Sequence, residues 1–356
     1  MKLPKFVHNT DFYAELRRRV NQHFEQNNID QRGGSRIYLK AFILIGLLIS
    51  FYIWLVFFTP TTWIALTLCG ALGLLASGIG FNVMHDGSHG SFSNNPVLNK
   101  AAALSLNILG GNDYMWHHKH VVLHHTFTNV DGVDDDIEIK PMMRMCTSQE
   151  FRPWHRYQHL YAGFLYAIMY AYWFFWIDYK KYFTSKINSY QIPKLSPADK
   201  INFWGGKILS TILFVALPWY MLGGVATAIG LTVFFAVTGV FISVVFQLAH
   251  TVEHADFPMP DGDMKLENEW AVHQIETTSN FATRNPIVTW YCGGLNFQIE
   301  HHLFPKISHI HYPQLSKIVK QLCEEYGVTY NEHEKMYQAI ASHWRYLKQM
   351  GQPSLA

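Results

Sequence analysis

Three groups of histidine carry the chemistry that this chain can do. His85 and His89 stand in NVMHDGSHGSF, His117, His118, His120, His124 and His125 in WHHKHVVLHHTFTN, and His301 and His302 in GGLNFQIEHHLFP. Imidazole is the commonest metal ligand in proteins, and many neutral imidazoles converging on one place suit iron, zinc or copper. Residues four apart on a helix share a face one turn apart. That spacing predicts His85 beside His89 and His120 beside His124, with His125 about 100° around the helix. Gln298, His301 and His302 sit at i, i+3 and i+4, and His250 and His254 in FQLAHTVEH form another i, i+4 pair. Gathered together, these are too many ligands for one ion, so two metal ions sharing a site is the economical expectation. A buried imidazole without a partner costs about 1–3 kcal/mol, which makes such a gathering hard to sustain without metal.

Other histidines invite plainer explanations. His8, His23, His155, His159, His309, His311, His333 and His343 stand in polar segments and are expected to be solvated. His117 and His118 adjoin the second group but fall outside its i, i+4 frame. His273 either supports a ligand or lies at the surface, and the surface is preferred. Asp131, Asp134, Asp135 and Asp136 in NVDGVDDDIEI form either a solvated loop or a set of carboxylates that accept the free N–H of metal-bound imidazoles. Asp86, beside His85, has the same two options, and Asp135 is the candidate for offsetting metal charge. Trp116, Trp290 and Tyr291 are candidates to line an acyl tunnel or to anchor at an interface.

The elements that must position these groups are apolar. Of 356 residues, 49% are hydrophobic and 15% charged, well under the usual quarter charged. A net charge of +2 gives no case for nucleic acid, and Cys69, Cys146, Cys292 and Cys323 show no CxxC spacing. The first twenty residues have no apolar core behind their basic residues, so no cleaved signal peptide is expected. A bilayer core needs roughly 20 apolar residues of helix, and 40–59, 61–83, 205–223 and 225–248 qualify. TPTT joins the first pair and Gly223-Gly224 the second, giving two hairpins. Lys and Arg avoid both tips and gather before, between and after the hairpins, so both termini and the middle segment are expected in the cytoplasm. Residues 101–111 are too short to span. Residues 160–176 are long enough, but a third crossing there would separate the second and third histidine groups, so an interfacial helix is expected.

The expected architecture is an all-α integral membrane protein. Four transmembrane helices in two hairpins are joined by interfacial helices and covered by a cytoplasmic helical cap holding a histidine-rich di-metal site. Residues 1–39 would form a cytoplasmic lead-in, 40–315 the membrane domain, and 316–356 a cytoplasmic helical tail.

At the histidines, the chain resembles the membrane fatty acid desaturases. HDGSH resembles that family's first histidine box, HVVLHH its second and QIEHH its third, in the family's order and over roughly residues 40–315. Gln298 stands where many members carry histidine, which is similar to the front-end desaturases and to some sphingolipid desaturases. The resemblance implies a non-haem centre of two iron ions, with His85, His89, His120, His124, His125, His301 and His302 as ligands. It also implies His250 as the extra histidine after the last span, with His254 behind it, and Gln298 as a weak ligand or supporting group. It implies O2-dependent desaturation of a fatty acyl chain between an existing double bond and the carboxyl end. The alternatives within the superfamily are a lipid hydroxylase or a sphingolipid desaturase. Outside it stand a membrane metal transporter, which would want ligands near the bilayer midplane, and a haem electron carrier, which needs only two axial histidines. No HPGG motif of a fused cytochrome b5 is present and residues 1–39 are too few for one. A separate carrier of the cytochrome b5, ferredoxin or flavoprotein type is therefore expected. A bacterial inner membrane is preferred to the endoplasmic reticulum.

Overall fold

The computed structural model describes residues 3–7 and 10–353; the solvation expected of His8 falls outside them. Eight long helices organise the chain: α1 (Phe12–Asn27), α2 (Ser35–Phe57), α3 (Thr62–His89), α4 (Pro153–Thr184), α5 (Pro197–Leu222), α6 (Gly224–His250), α7 (Tyr312–Tyr326) and α8 (Met336–Met350). Five of them, α2 to α6, are long and apolar enough to cross a membrane, one more than the four expected spans. The extra one is α4, which extends 160–176 at both ends. Residues 101–111 lie across the short helices Pro96–Ala103 and Ser105–Ile108.

Each hairpin turns where its sequence allows. Thr59 adopts φ 42° before Pro60, and Gly223 adopts φ 83° between α5 and α6, a region that glycine enters without a Cβ penalty. The hairpins then pack through small residues. A Cβ at Gly73 of α3 would lie 2.9 Å from the Phe234 carbonyl oxygen of α6, and Thr238 donates to the Gly73 carbonyl at 3.3 Å. On its other side α6 takes α4, and a Cβ at Gly239 would stand 2.4 Å from the Tyr166 carbonyl oxygen. Gly239→Ala must therefore push α4 off α6, at an overpacking cost of about 1–3 kcal/mol. The expected result is a lower melting temperature in detergent; an unchanged one would mean that the backbones do not meet there.

Both ends of α4 return to the end of the bundle where the histidines lie. Gln158 donates to the carbonyls of Arg144 and Leu347, both at 2.9 Å. Tyr166 and Ala162 pack near Val240 and Val244, and Phe174 meets Phe235 at 5.3 Å. Beyond that point Asp178 pairs with Lys207 of α5 at 2.9 Å, and Tyr182 stacks on Phe203, nearer the start of α5, at 4.4 Å.

A helical cap covers the histidines. α1 presents Phe12, Leu16, Val20 and Phe24, one per turn, to Leu315, Val319, Leu322 and Cys323 of α7, all buried. Each such side chain removed from water contributes about 1.5–3 kcal/mol. Arg19 and Glu325 close the edge in a two-pronged pair at 2.6 and 2.8 Å. After α7 the chain turns back on the body: α8 lays His343 against Thr251 and Tyr166, and His343 is buried. His155 and His309 are buried as well, and His23, His159, His311 and His333 half-buried. The solvation expected of these histidines is corrected: polar neighbours in sequence here are hydrogen-bonding partners in space.

Candidate metal centre

The last turns of α3 are not regular. Gly80–Met84 forms a π-helical turn before His85–His89 resumes α-helical form. The second histidine group is π-helical throughout, from His117 to His124. A π-helix bonds i to i+5, and the His125 amide accordingly donates to the His120 carbonyl at 3.1 Å. His120 and His124 are neighbours as expected, their rings stacked at 5.1 Å. The π-helical turn also brings His125 to the group that His120 joins, while His124 serves a second one.

Two groups of ring nitrogens result. In the first, His85, His89, His120, His125 and His301 bring one nitrogen each within 4.8 Å of one another, and in the second His124, His250 and His302 do the same. All eight are buried. His120 Nε2 lies 3.2 Å from both His85 Nε2 and His125 Nε2. Nitrogens that far apart fit two ligand bonds of about 2.1 Å meeting near 100°. The Nε2 atoms of His89, His124, His250, His301 and His302 have no hydrogen-bond partner among the described residues. Buried polar atoms are rarely left so, and their donor set is the one that a divalent metal needs.

The rings are held from behind. His124 Nδ1 donates to Asp134 at 3.0 Å and approaches Asp136 at 3.3 Å. His250 Nδ1 donates to the Thr277 carbonyl at 3.3 Å, His302 Nδ1 to Gln274 Oε1 at 2.8 Å, and His301 Nδ1 to the Tyr312 hydroxyl oxygen at 3.2 Å. Each acceptor fixes the tautomer and leaves Nε2 free to face inward. Trp116 stacks on His120 at 4.2 Å. Burial, reinforced by the neighbouring imidazoles, holds His120, His125, His301 and His302 well below the usual imidazole range, so all four are neutral and able to bind metal. For His124 burial works in the same direction, but Asp134 and Asp136 outweigh it and raise the ring. Burial would raise Asp136, yet Lys119 and His124 hold it well below the carboxylate range.

Several expectations need correction. His117 is exposed and His118 half-buried against Tyr114 and Tyr190, outside both groups. His254 is exposed, its ring beside His333. Among the described residues Asp135 pairs with no histidine; it pairs with Lys181 at 2.7 Å and faces Lys119 at 4.0 Å. Asp86 contacts not its neighbour His85 but His309, at 2.8 Å, and His309 in turn meets Lys40 at 3.3 Å. His273 is buried rather than surface-lying, and its Nε2 has no hydrogen-bond partner among the described residues. Gln298 is buried, and its amide nitrogen has no partner among the described residues. Sequence reasoning missed Gln274, Tyr312, Thr277 and Glu300. Glu300 lies between Asn280 and Tyr330, with burial pushing its carboxyl up to about 7 against those two hydrogen bonds. Its place inside QIEHH was the only available signal; the other three carry none.

Long apolar helices that end on a buried imidazole cage define a class: a helical membrane protein with a nitrogen-rich site at one end of its bundle. The fatty acid desaturase family's sequence profile matches residues 61–334. The chain is 37% identical over 340 residues to an sn-1 linoleoyl-lipid 6-desaturase of Arthrospira platensis, covering 95% of this chain and 92% of that one. It is 36% identical over 352 residues to a protein of the same description from a Synechocystis species, covering 98% of each. It is 34% identical over 347 residues to an acyl-lipid (8-3)-desaturase of Physcomitrium patens, covering 96% of this chain and 72% of the relative. The chain belongs to the fatty acid desaturase family and is an oxidoreductase of lipid metabolism. The metal-transporter and haem-carrier alternatives fall away with that membership.

Proposed function

We propose that this protein is a front-end acyl-lipid desaturase. It would place a double bond on the carboxyl side of one already present, consuming O2, two electrons and two protons and releasing two waters. The observation that carries the metal part is the pair of imidazole groups with five unpartnered inward nitrogens. The regiochemistry is supported by the cyanobacterial relatives, whose descriptions specify desaturation at carbon 6 of a linoleoyl lipid, and by Gln298 in the third box.

His85, His89, His120, His125 and His301 would hold one iron and His124, His250 and His302 the other, with Gln298 as a supporting group. When bound, the irons supply the activation of O2 that removes hydrogen from an unactivated methylene, a step no side-chain acid or base performs. The chain's own residues do the rest. Trp116, Met84 and Leu106, with Trp173 against them, form an apolar wall beside His85 and His120. Such a wall excludes water and gives acyl methylenes a surface to lie on. Position along the chain is then decided by geometry, since the methylenes are chemically alike.

We read four of the five apolar helices as crossing the membrane. His125 and His250 would serve one cage, so an even number of crossings must separate them, and α4, α5 and α6 all lie between. α4 is the helix whose two ends return to the cage end, which supports an interfacial placement for it. Residues 40–315 would then carry membrane and site, with 1–39 and 316–356 as the cytoplasmic covering. The lysines and arginines that avoid both hairpin tips support a cage on the cytoplasmic side, and the cyanobacterial relatives support a bacterial inner membrane. Electrons would come from a separate carrier of the cytochrome b5, ferredoxin or flavoprotein type.

The test is fatty acid methyl ester analysis by mass spectrometry in a host fed defined unsaturated acids. The expected product carries a new double bond on the carboxyl side of an existing one, and it vanishes in the His301→Ala, His302→Ala variant. A hydroxylated product would replace this reading with a lipid hydroxylase, and a changed sphingoid base with a sphingolipid desaturase.

A further inference from the structure

α8 has two faces of different character. Its inner face buries Ala339, His343, Tyr346 and Leu347 against the body. Its outer face carries Tyr337, Ile340 and Trp344, which are 64, 49 and 43% exposed. A helix facing water normally puts charge there, and α7 does so with Lys317, Lys320 and Glu324, all exposed, whereas on α8 the exposed Arg345 lies beside the stripe and is paired with Glu253. The two cations at the ends of the α8 stripe sit on its aromatic rings, Lys335 over Tyr337 at 5.9 Å and Lys348 over Trp344 at 5.6 Å. Neither lysine has an ion-pair partner among the described residues.

The stripe does not stand alone. Trp344 meets the ring of His159 on α4 edge-on at 5.0 Å. Around His159 the outward residues of α4 include Tyr157, Leu160 and Phe164, each more than 60% exposed, with Arg156 as the exposed cation among them. The apolar face of α8 therefore continues the apolar face of a helix that we read as lying in the membrane interface. Aromatic bodies with cations at their edges are what the boundary between acyl chains and headgroups accommodates.

We propose that α8 is a membrane-surface helix, resting in the headgroup layer of the same bilayer. Tyr337, Ile340 and Trp344 lie at the acyl boundary, and Lys335 and Lys348 lie at lipid phosphates. The placement has a consequence for the cage. On the inner face of α8, His343 donates from Nδ1 to the Thr251 carbonyl at 2.7 Å and accepts the Tyr166 hydroxyl at 2.7 Å. Thr251 follows His250 directly, so the bilayer seats the helix that fixes the end of α6. This rests on the interfacial reading of α4.

The four native cysteines are buried, so an introduced one can be labelled selectively with an environment-sensitive fluorophore. Ile340→Cys, Phe164→Cys and, as a reference on α7, Lys317→Cys would be compared in full-length protein. The vesicles would be phosphatidylcholine, with or without phosphatidylglycerol. Spin-labelled lipid should quench the label at 340 several-fold more than that at 317, and iodide should do the reverse. Equal iodide access at 340 and 317 overturns the proposal. If 164 is lipid-quenched while 340 is not, α8 fails and the reading of α4 survives; iodide access at 164 as well means that α4 has failed. Lys335→Glu with Lys348→Glu should weaken lipid quenching at 340 in vesicles containing phosphatidylglycerol. No change there would overturn the role given to the lysines.

Discussion

His302→Ala is expected to leave the protein folded, with iron falling from about two ions per chain to about one and desaturation lost. His302 is one of only three imidazoles in the second group, and its Nε2 faces inward while Gln274 holds Nδ1. Alanine removes the donor and leaves His124 and His250, two nitrogens where a stable site wants at least three. The first group keeps all five of its rings. On the proposed two-iron reading, turnover should fall by at least about a thousandfold, equivalent to ~4 kcal/mol of barrier. Metal analysis of the purified protein beside product analysis separates the two effects. His117→Ala is the control, since that ring is exposed and outside both groups. Two ions per chain and full turnover in His302→Ala would remove the second group from the mechanism.

How far the sequence reaches is visible in these same residues. Histidine type and rough spacing pointed to a cage, because apolar runs ending on HDGSH and HVVLHH leave few other uses for so many imidazoles. The division of labour within the second group was not legible. An α-helical wheel puts His120 with His124, and their rings do stack at 5.1 Å. The wheel does not show that the π-helical stretch brings His125 to the group of His120 while His124 serves the other. A single added residue per turn leaves no trace in apolar periodicity. The supporting partners were hidden for a different reason. Gln274 and Thr277 lie more than 20 residues before His302, and Tyr312 lies 10 after it; what makes them partners is a cap that folds over the site. Asp86 shows the opposite error, since adjacency to His85 suggested a contact that the side chain makes with His309 instead. In the membrane part, hydropathy found every long apolar segment but could not rank α4. Its placement depends on where its two ends pack, at Leu347 and at Phe203.

Asp134→Asn should weaken iron binding at the proposed second site without removing any of its three imidazoles. Asp134 is fully buried and works at three points: Oδ2 accepts from His124 Nδ1 at 3.0 Å and from the Asn129 amide at 2.9 Å, and Oδ1 accepts from the Asp136 amide at 3.0 Å. The first of these fixes the tautomer that points His124 Nε2 into the cage, and the carboxylate charge makes the ring a better donor. Asparagine is nearly the same size, so packing survives. Its amide, however, can no longer satisfy all three donors, and it brings no charge. Losing a partner of this kind typically costs 10–100-fold in metal affinity. The expected protein has a near-normal melting temperature, partial iron occupancy and reduced desaturation that excess ferrous iron restores in part. Asp135→Asn is the contrast. That carboxylate serves Lys181 and Lys119 and pairs with no imidazole among the described residues, so iron occupancy should hold there. Rescue by iron in the first variant, with retained iron in the second, places the function of the acidic loop in its hydrogen bonds rather than in its overall charge. Equal iron loss in both would favour charge.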